Sequence, residues 1–231
     1  NDKESRIALY QNVGISTSPE FQFIDDDILN LAQENFGLRT VPTFGDVDGD
    51  GDEDMFLGLE DGSLVYYENA STGNGANWAV GVANYQDNLS TPINVNGFCF
   101  PQLFDLDDDG LLDLLLGNRI GNIIYYKNIG TLTSPSFELE NALLGQVDIL
   151  PGNFSSNAAI HFFRDSNEVN LFCGSFDGRL YYYNDIIANL SSGASFNLIS
   201  DNYQGIDLGK HSSVYLDDLD NDGTLNAFAG Q

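Results

Sequence analysis

Short apolar and aromatic runs recur along the chain, and glycine, asparagine or aspartate bounds most of them. Several runs alternate between apolar and polar residues, as at Phe21/Phe23 and Trp78/Val80. This period of two is that of a strand with one buried face, whereas a helix repeats its apolar positions about every 3.6 residues. Only residues 28–32 suggest a short helical turn. The pattern therefore predicts an all-β protein.

Two ladders of landmark residues show that these runs belong to a repeat. A glycine recurs at positions 58, 117, 174 and 230, with gaps of 59, 57 and 56 residues. An asparagine that closes an aromatic run recurs at positions 12, 69, 128 and 184, with gaps of 57, 59 and 56 residues. Self-similarity at a period of this size is typical of propellers and solenoids. The chain therefore contains four equivalents of one unit.

Each repeat predicts four strands. The first precedes an aspartate-rich loop, the second follows it, the third is rich in tyrosine and the fourth alternates at a period of two. Four short strands joined by glycine turns are typical of a β-propeller blade. We therefore predict one β-propeller domain or propeller segment over residues 1–231. Its four-stranded antiparallel blades would lie at roughly 41–99, 100–157, 158–211, and 212–231 joined to 1–40.

In three repeats the loop after the first strand carries an acidic or amide residue at offsets 0, +2, +4 and +8, with glycine at +5. Alternate side chains of a tight loop can converge on one point, and the carbonyl at +6 can add an oxygen. Ligation by oxygen alone suits Ca²⁺ better than a transition metal. The predicted ligands are Asp46, Asp48, Asp50, Asp52 and Asp54; Asp105, Asp107, Asp109, Leu111 and Asp113; and Asp218, Asp220, Asp222, Thr224 and Asn226.

Two other interpretations of these loops are possible from the sequence. An EF-hand needs glutamate at +11 and flanking helices, but +11 is Leu57, Leu116 or Ala229 and the flanks are typical of strands. A solvated Asp/Gly turn that binds nothing is the other alternative, because such turns are common. Three copies of one spacing favour metal. We expect two to three Ca²⁺ ions, the third held more weakly because Asn226 is neutral.

The third repeat departs from the pattern. Its offsets 0, +2, +4 and +8 fall on Phe162, Arg164, Ser166 and Asn170, so the carboxylates are lost. One hypothesis is that the Arg164 guanidinium takes the place of the cation, with Asp165 or Glu168 as its partner. The alternative is a decayed loop that needs no ion.

The segment 44–58, which joins Phe-Gly to the Asp-rich loop and a short apolar strand, resembles the FG-GAP or VCBS repeat of integrin α-subunit propellers and many bacterial surface proteins. The resemblance covers the whole chain as four repeat equivalents. It implies a propeller with a calcium loop between the first and second strands of each blade. The linker 128–137 looks like those of secreted Bacteroidota-type proteins, which implies a secreted or cell-surface bacterial protein.

Composition narrows the possible partners and the compartment. The formal charge of −27, from 35 acidic and 8 basic residues, argues against nucleic acid and anionic membranes as partners. No apolar stretch is long enough to insert into a membrane. The absence of an initiator Met and of a signal peptide suggests a processed or excised piece of a larger surface protein. Cys99 and Cys173 lie in apolar runs, which favours buried free thiols.

Candidate catalytic chemistry is sparse. His161 and His211 are isolated, with no cluster of zinc spacing, and are interpreted as structural or surface residues. The basic residues Arg39, Arg119, Lys127 and Arg179 are scattered along the chain. The sequence therefore favours a non-enzymatic, calcium-stabilised extracellular scaffold for adhesion to a protein or glycan. A propeller domain of a secreted polysaccharide-active enzyme and a purely structural spacer are the alternatives.

The two ends of the chain carry complementary halves of one blade. Residues 212–231 supply its first two strands and residues 5–23 supply the last two. We expect them to join, with Phe228 paired antiparallel to the strand 7–10, because unpaired strands would expose sheet edges. The alternative is a segment of a larger ring, since integrin-like relatives close with more blades.

Overall fold

The computed structural model describes residues 5–15, 17–34, 36–71, 76–149, 152, 155–190 and 192–230. These residues form antiparallel β-sheets with few short helices, so the prediction of an all-β protein is confirmed. The predicted helical turn at 28–32 overlaps a 3-10 helix at Leu31–Gln33. The other helices are 3-10 turns at Leu144–Gln146 and Tyr203–Gly205, and α1 at Ile186–Leu190.

Three of the sheets have four strands each, and in all three the strands follow one another in chain order. The first sheet contains β3 (Thr40–Gly45), β4 (Asp54–Leu59), β5 (Leu64–Tyr67) and β6 (Val82–Ala83). The second contains β7 (Phe100–Phe104), β8 (Asp113–Gly117), β9 (Ile123–Asn128) and β10 (Phe137–Asn141). The third contains β11 (Ala159–Asp165), β12 (Glu168–Gly174), β13 (Leu180–Asn184) and β14 (Asn197–Ser200).

Two further sheets have two strands each. One pairs β1 (Leu9–Asn12) with β2 (Phe21–Asp25), and the other pairs β15 (Ser213–Asp217) with β16 (Asn226–Gly230). They are the last two and the first two strands of the repeat, as the sequence predicts. Their burial differs sharply from that of the complete sheets, because every residue of β1, β2 and β16 is exposed.

The core lies between successive sheets. Phe56 of the first sheet packs in one cluster with Leu114 of the second, and Leu115 packs in another with Leu171 of the third. A smaller cluster joins the third sheet to Val214 of β15. The second and third sheets each bury one face against the sheet before and one against the sheet after, and the first sheet packs its other face against the segment that contains Leu31. The second strands are therefore apolar on both faces.

The glycine ladder has a packing reason. A Cβ on Gly58, Gly117 or Gly174 would collide with the carbonyl oxygen of the residue that leads into the next repeat, which is Cys99, Ala158 or Ser212 respectively. Only glycine permits this close approach of two backbones. At Gly230 no such neighbour lies within 4 Å.

The first strands of the four repeats, β3, β7, β11 and β15, border one cavity of about 770 Å³. A side chain at one repeated position bonds each of these strands to the next. Thr43 Oγ1 accepts from Leu103 N at 3.2 Å, and Gln102 Oε1 accepts from Phe162 N at 2.6 Å. In the same register, His161 Nε2 accepts from the Leu216 backbone N–H at 3.0 Å.

The expected pairing of Phe228 with the strand 7–10 is wrong. Phe228 pairs with Tyr215 inside its own two-stranded sheet, and β1 pairs only with β2 among the described strands. The N-terminal segment is held elsewhere, because Ile7 packs beside Leu31 and its carbonyl accepts from the Ile28 N–H. Asn1 and Gln231, the two ends of the sequence, lie outside the described residues.

Candidate metal centres

Each aspartate-rich loop is closed by the last pair of the strands that flank it. Gly45 pairs with Asp54, Phe104 with Asp113, and Asp217 with Asn226. The glycine at +5 has a positive φ in all three loops, of 95° at Gly51, 87° at Gly110 and 83° at Gly223. Such a φ strains any residue with a Cβ, so glycine at this offset lets the chain double back within eight residues.

Three carboxylates converge in each loop. One oxygen from each of three aspartates lies within 4.8 Å of the others, and each of the three sets could hold a metal ion. The sets are the residues at offsets 0, +2 and +4 of the prediction: Asp46, Asp48 and Asp50; Asp105, Asp107 and Asp109; Asp218, Asp220 and Asp222.

Backbone N–H groups hold these carboxylates in place. In the first loop Asp46 accepts from Gly49 N at 2.7 Å and from Gly51 N at 3.1 Å, and Asp50 accepts from Asp52 N at 2.9 Å. The other two loops repeat the bonds from the backbone at +4 or +5 to the first aspartate. The side chains are therefore preorganised by the loop backbone, and each retains acceptor capacity for a cation.

The residue at +8 is not among the three grouped carboxylates of each loop. Asp54 and Asp113 are fully buried, and Asp113 accepts from Leu106 N, Asn128 N and the Tyr125 hydroxyl at 3.1, 2.8 and 3.0 Å. Burial raises the pKa of both carboxyls, that of Asp113 to about 6, against the opposing effect of these bonds. The third loop uses a neutral amide here, and Asn226 Oδ1 accepts from Leu219 N at 3.3 Å.

The asparagine ladder supports this buried layer. Asn69 N donates to Asp54 at 2.9 Å, and Asn128 N donates to Asp113 in the same way. The Asn128 side chain also donates to the Leu112 carbonyl and accepts from Gly130 N. These asparagines connect the end of the third strand to the +8 aspartate of the loop by hydrogen bonds. In the sequence they are visible only as a repeated residue, and the structure shows this physical role.

The second loop has a cationic neighbour that the sequence argument missed. Lys127 Nζ forms ion pairs with Asp107 and, at 2.9 Å, with Asp109. Its hydrogen bond to Asp107 is the main cause that raises the pKa of Lys127, and its bond to Asp109 lowers the pKa of that carboxyl. Lys127 directly precedes the ladder residue Asn128, whereas Glu68 precedes Asn69. This difference between equivalent positions of the two repeats is the sequence signal from which a cation beside the second loop could have been predicted.

The hypothesis for Arg164 is wrong. β11 and β12 pair through Asp165 and Glu168, so the third repeat has a tight hairpin turn at Ser166 instead of a loop. Arg164 reaches the second loop, where it donates to the Asp105 carbonyl at 2.9 Å and pairs with Asp108 at 3.2 Å. Its guanidinium also lies 5.5 Å from the centre of the Phe104 ring.

Two triads contain a buried oxygen with no hydrogen-bond partner. These atoms are Oδ1 of Asp107 and Oδ1 of Asp220. A buried carboxylate oxygen without a partner costs free energy, and a bound cation removes that cost. The donor sets therefore fit a hard divalent ion. Whether the carbonyls of Asp52, Leu111 and Thr224 and the side chains at +8 join them stays a prediction.

Comparison with protein-family models, with curated proteins and with solved structures finds no match to this chain. Among the described residues, no helix has the length and apolarity needed to cross a membrane. Cys99 and Cys173 are both free and buried, as predicted, and burial raises the pKa of each thiol.

Proposed function

We propose that this chain is a calcium-binding β-propeller that serves outside the cell as a non-enzymatic scaffold for adhesion to a protein or glycan. The observation that carries the proposal is the recurrence of one aspartate triad at one place in three repeats. Carboxylate oxygens without nitrogen or sulfur ligands suit Ca²⁺. Asp46, Asp105 and Asp218 would each open a site, with the aspartates at +2 and +4 as further ligands.

The arrangement of the first strands supports a propeller. β3, β7, β11 and β15 come from successive repeats and border one cavity, as the inner strands of blades do around an axis. The side chains of Arg39, just before β3, and His211, just before β15, meet at 3.2 Å. This contact supports an arrangement in which β3 and β15 are neighbours around that cavity, although β1 and β16 do not pair among the described strands.

Calcium availability supports an extracellular setting. Extracellular calcium modules bind at roughly 10⁻⁴–10⁻³ M, a concentration that the cytosol does not offer. The net charge of −27 opposes close approach to nucleic acid or to an anionic membrane. Both points favour a protein or glycan partner. A glycan array with and without calcium separates adhesion from the alternative, which is a polysaccharide-active enzyme domain.

The direct test is a calorimetric titration of the protein, stripped of metal on a chelating resin, with Ca²⁺. We expect two or three bound ions, and the loss of one of them in Asp48→Asn. Asp201→Asn is the matched control, since it removes the same charge from an exposed turn far from the loops in sequence. If the stripped protein takes up no calcium at millimolar concentration, the proposed function is wrong.

A further inference from the structure

The seven basic residues that the structure describes divide into two groups. Arg6, Lys127, Arg164 and Arg179 each pair with an aspartate. Arg39, Arg119 and Lys210 have no carboxylate within ion-pair distance among the described residues. In a chain with 35 acidic residues, three cations without an ion pair among the described residues require a structural explanation.

These three cations are linked by side-chain contacts through Phe98, His211 and Phe176. The Arg39 and Arg119 guanidinium carbons lie 5.3 and 5.6 Å from the centre of the Phe98 ring. Arg39 contacts His211 at 3.2 and 3.3 Å, and Lys210 Nζ lies 5.5 Å from the Phe176 ring. The Phe176 ring in turn contacts His211, with 4.8 Å between their centres.

The repeat itself builds this cluster. Arg39, Phe98, Asn157 and His211 each stand two residues before the strand residue that pairs with a ladder glycine. Asn157 Nδ2 lies 2.9 Å from His211 Nδ1, and the Arg119 carbonyl accepts from Asn157 N at 3.0 Å. We call Arg39, Phe98, Arg119, Asn157 and His211 the Arg39 cluster. Four equivalent positions of the repeat, each just before a first strand, therefore lie close together at one end of these strands.

Among the described residues, the lining of the cavity beside the Arg39 cluster has no acidic side chain. Its volume is about 490 Å³, and its lining includes Arg6, Arg39, Phe98 and His211 but no aspartate or glutamate among the described residues. Each of the other four described cavities has at least one acidic residue in its lining. The nearby Glu60 carboxylate accepts from Leu38 N at 3.2 Å and forms no ion pair with Arg39.

Hydrogen bonding in the Arg39 cluster is incomplete. N–H donors of Arg39 approach both ring nitrogens of His211, and Asn157 Nδ2 approaches Nδ1 as well. A neutral imidazole accepts at only one of its nitrogens, so the cluster has more donors than acceptors. Burial, Arg39 and Lys210 lower the pKa of His211, which keeps the ring neutral near pH 7. Asn157 is 2% exposed and its Oδ1 has no partner.

We propose that the Arg39 cluster binds the carboxylate of a small, singly charged ligand in the cavity beside it. Arg39 lines this cavity, Arg119 lies against the Phe98 ring that also lines it, and no acidic residue is among the described lining residues. This setting matches a carboxylate, which accepts paired N–H bonds from arginine. The charge of −27 on the whole chain repels a polyanion, so a single carboxylate is favoured over a nucleic acid or a sulfated polymer. The chain end of a peptide and a uronic acid both offer this group.

Ligand-observed NMR on the metal-stripped protein tests the proposal with two probes, D-glucuronate and N-acetylglycine. Stripping the metal removes any carboxylate binding that runs through calcium, so the result is independent of the proposed function. We expect saturation transfer to at least one probe and none to glucose, which lacks the carboxylate. Stronger binding of D-glucuronate would indicate a uronic acid as the ligand, and stronger binding of N-acetylglycine would indicate the chain end of a peptide.

Two variants locate the binding. Arg39→Gln and Arg119→Gln should each weaken it by about tenfold, the scale of a lost charge-assisted hydrogen bond. Arg164→Gln is the matched control and should bind as the parent does, because Arg164 is paired at the second metal loop. Circular dichroism checks that every variant is folded. Failure of both probes to bind, or unchanged binding in both variants of the Arg39 cluster, overturns the proposal.

Discussion

Lys127 places an ammonium group among the oxygens that a divalent ion would use in the second loop. The two cations compete for Asp107 and Asp109, so binding calcium there requires the lysine to withdraw. At the first loop the equivalent position is Glu68, which adds negative charge instead. We therefore expect the first loop to bind calcium more tightly than the second.

Replacing Lys127 tests this competition. Lys127→Met keeps the length of the side chain and removes the charge, and we expect calcium affinity at the second loop to rise by about tenfold. That factor corresponds to about 1.4 kcal/mol, a usual size for a partly exposed ion pair with two partners. Calorimetry measures it, with Lys210→Met as the control. Equal affinities in Lys127→Met and the parent would exclude the competition.

His161 makes stability depend on pH. It is buried, accepts from the Leu216 N–H, and its pKa is lowered to about 4, chiefly by burial. Because the folded pKa is below the unfolded value of about 6.5, the unfolded chain binds the proton more readily. This contribution to stability is complete above pH 6.5 and is lost as the pH falls toward 4.

We expect the free energy of unfolding to fall by about 2 kcal/mol between pH 8 and pH 5 through His161 alone. Urea unfolding at the two pH values measures the change. Carboxyl groups also titrate near pH 5, so the informative quantity is the difference from His161→Gln, which removes the titration. A parent and variant with the same pH dependence would show that His161 does not contribute.

At the scale of the elements, one glycine position determines how closely successive repeats pack. A methyl group on Gly117 would collide with the Ala158 carbonyl oxygen, whereas one on Gly230 would meet nothing within 4 Å. We expect Gly117→Ala to destabilise the protein by about 1–3 kcal/mol, the usual cost of overpacking, and Gly230→Ala to be nearly neutral. Thermal unfolding of the two variants measures both.

The same pair of variants tests whether β16 of the fourth repeat packs against the first repeat in solution. If β16 packed against the first repeat as β8 packs against the third, Gly230→Ala would cost as much as Gly117→Ala. A neutral Gly230→Ala agrees with the free edge seen at β16. A Gly117→Ala variant as stable as the parent would contradict the packing role of the ladder.

The local pattern of apolar and polar residues predicted the strands, but it did not predict the connection between β11 and β12. The sequence assigned residues between Phe162 and Asn170 to a decayed loop, whereas β11 and β12 continue pairing to Asp165 and Glu168. Without carboxylates to repel one another or to hold an ion, the backbone satisfies its own hydrogen bonds in a longer ladder. The connection is also two residues shorter, because Ala159 and Gly174 pair 15 positions apart whereas Val41 and Gly58 pair 17 apart, and this difference shows only once the strand register is known.

For the whole molecule, the excess of negative charge makes stability depend on calcium. A site with a Kd near 0.1 mM contributes about 1.4 kcal/mol in about 1 mM calcium, so two or three sites contribute about 3–4 kcal/mol. For a chain of this size we expect chelation to lower Tm by about 10 °C. Calorimetric scans with calcium and with EGTA measure the change, and Asp48→Ala should show part of it in calcium. An unchanged Tm in EGTA would contradict the account.

Much of this protein is determined by its sequence alone. The period of the apolar residues predicts the strands, because alternation places one face of each strand in a core. The spacing of Asp46, Asp48 and Asp50 around Gly51 predicts their convergence, because backbone geometry within so short a loop leaves few alternatives. These features depend on neighbours in the chain, so local physical chemistry suffices to predict them.

Only the tertiary structure decided which side chains meet across repeats. Arg164 bonds to Asp108, 56 residues away, and Arg39 meets His211, 172 residues away. The described basic residues, which are scattered in the sequence, therefore divide in the fold into two sets. One set lies around Arg39, and the other forms ion pairs with aspartates. No local pattern specifies such contacts, because they depend on how the sheets are stacked and on how closely the ladder glycines let them approach. Among the described strands, the same stacking leaves one edge of β1 and one edge of β16 unpaired, contrary to the expectation from strand order.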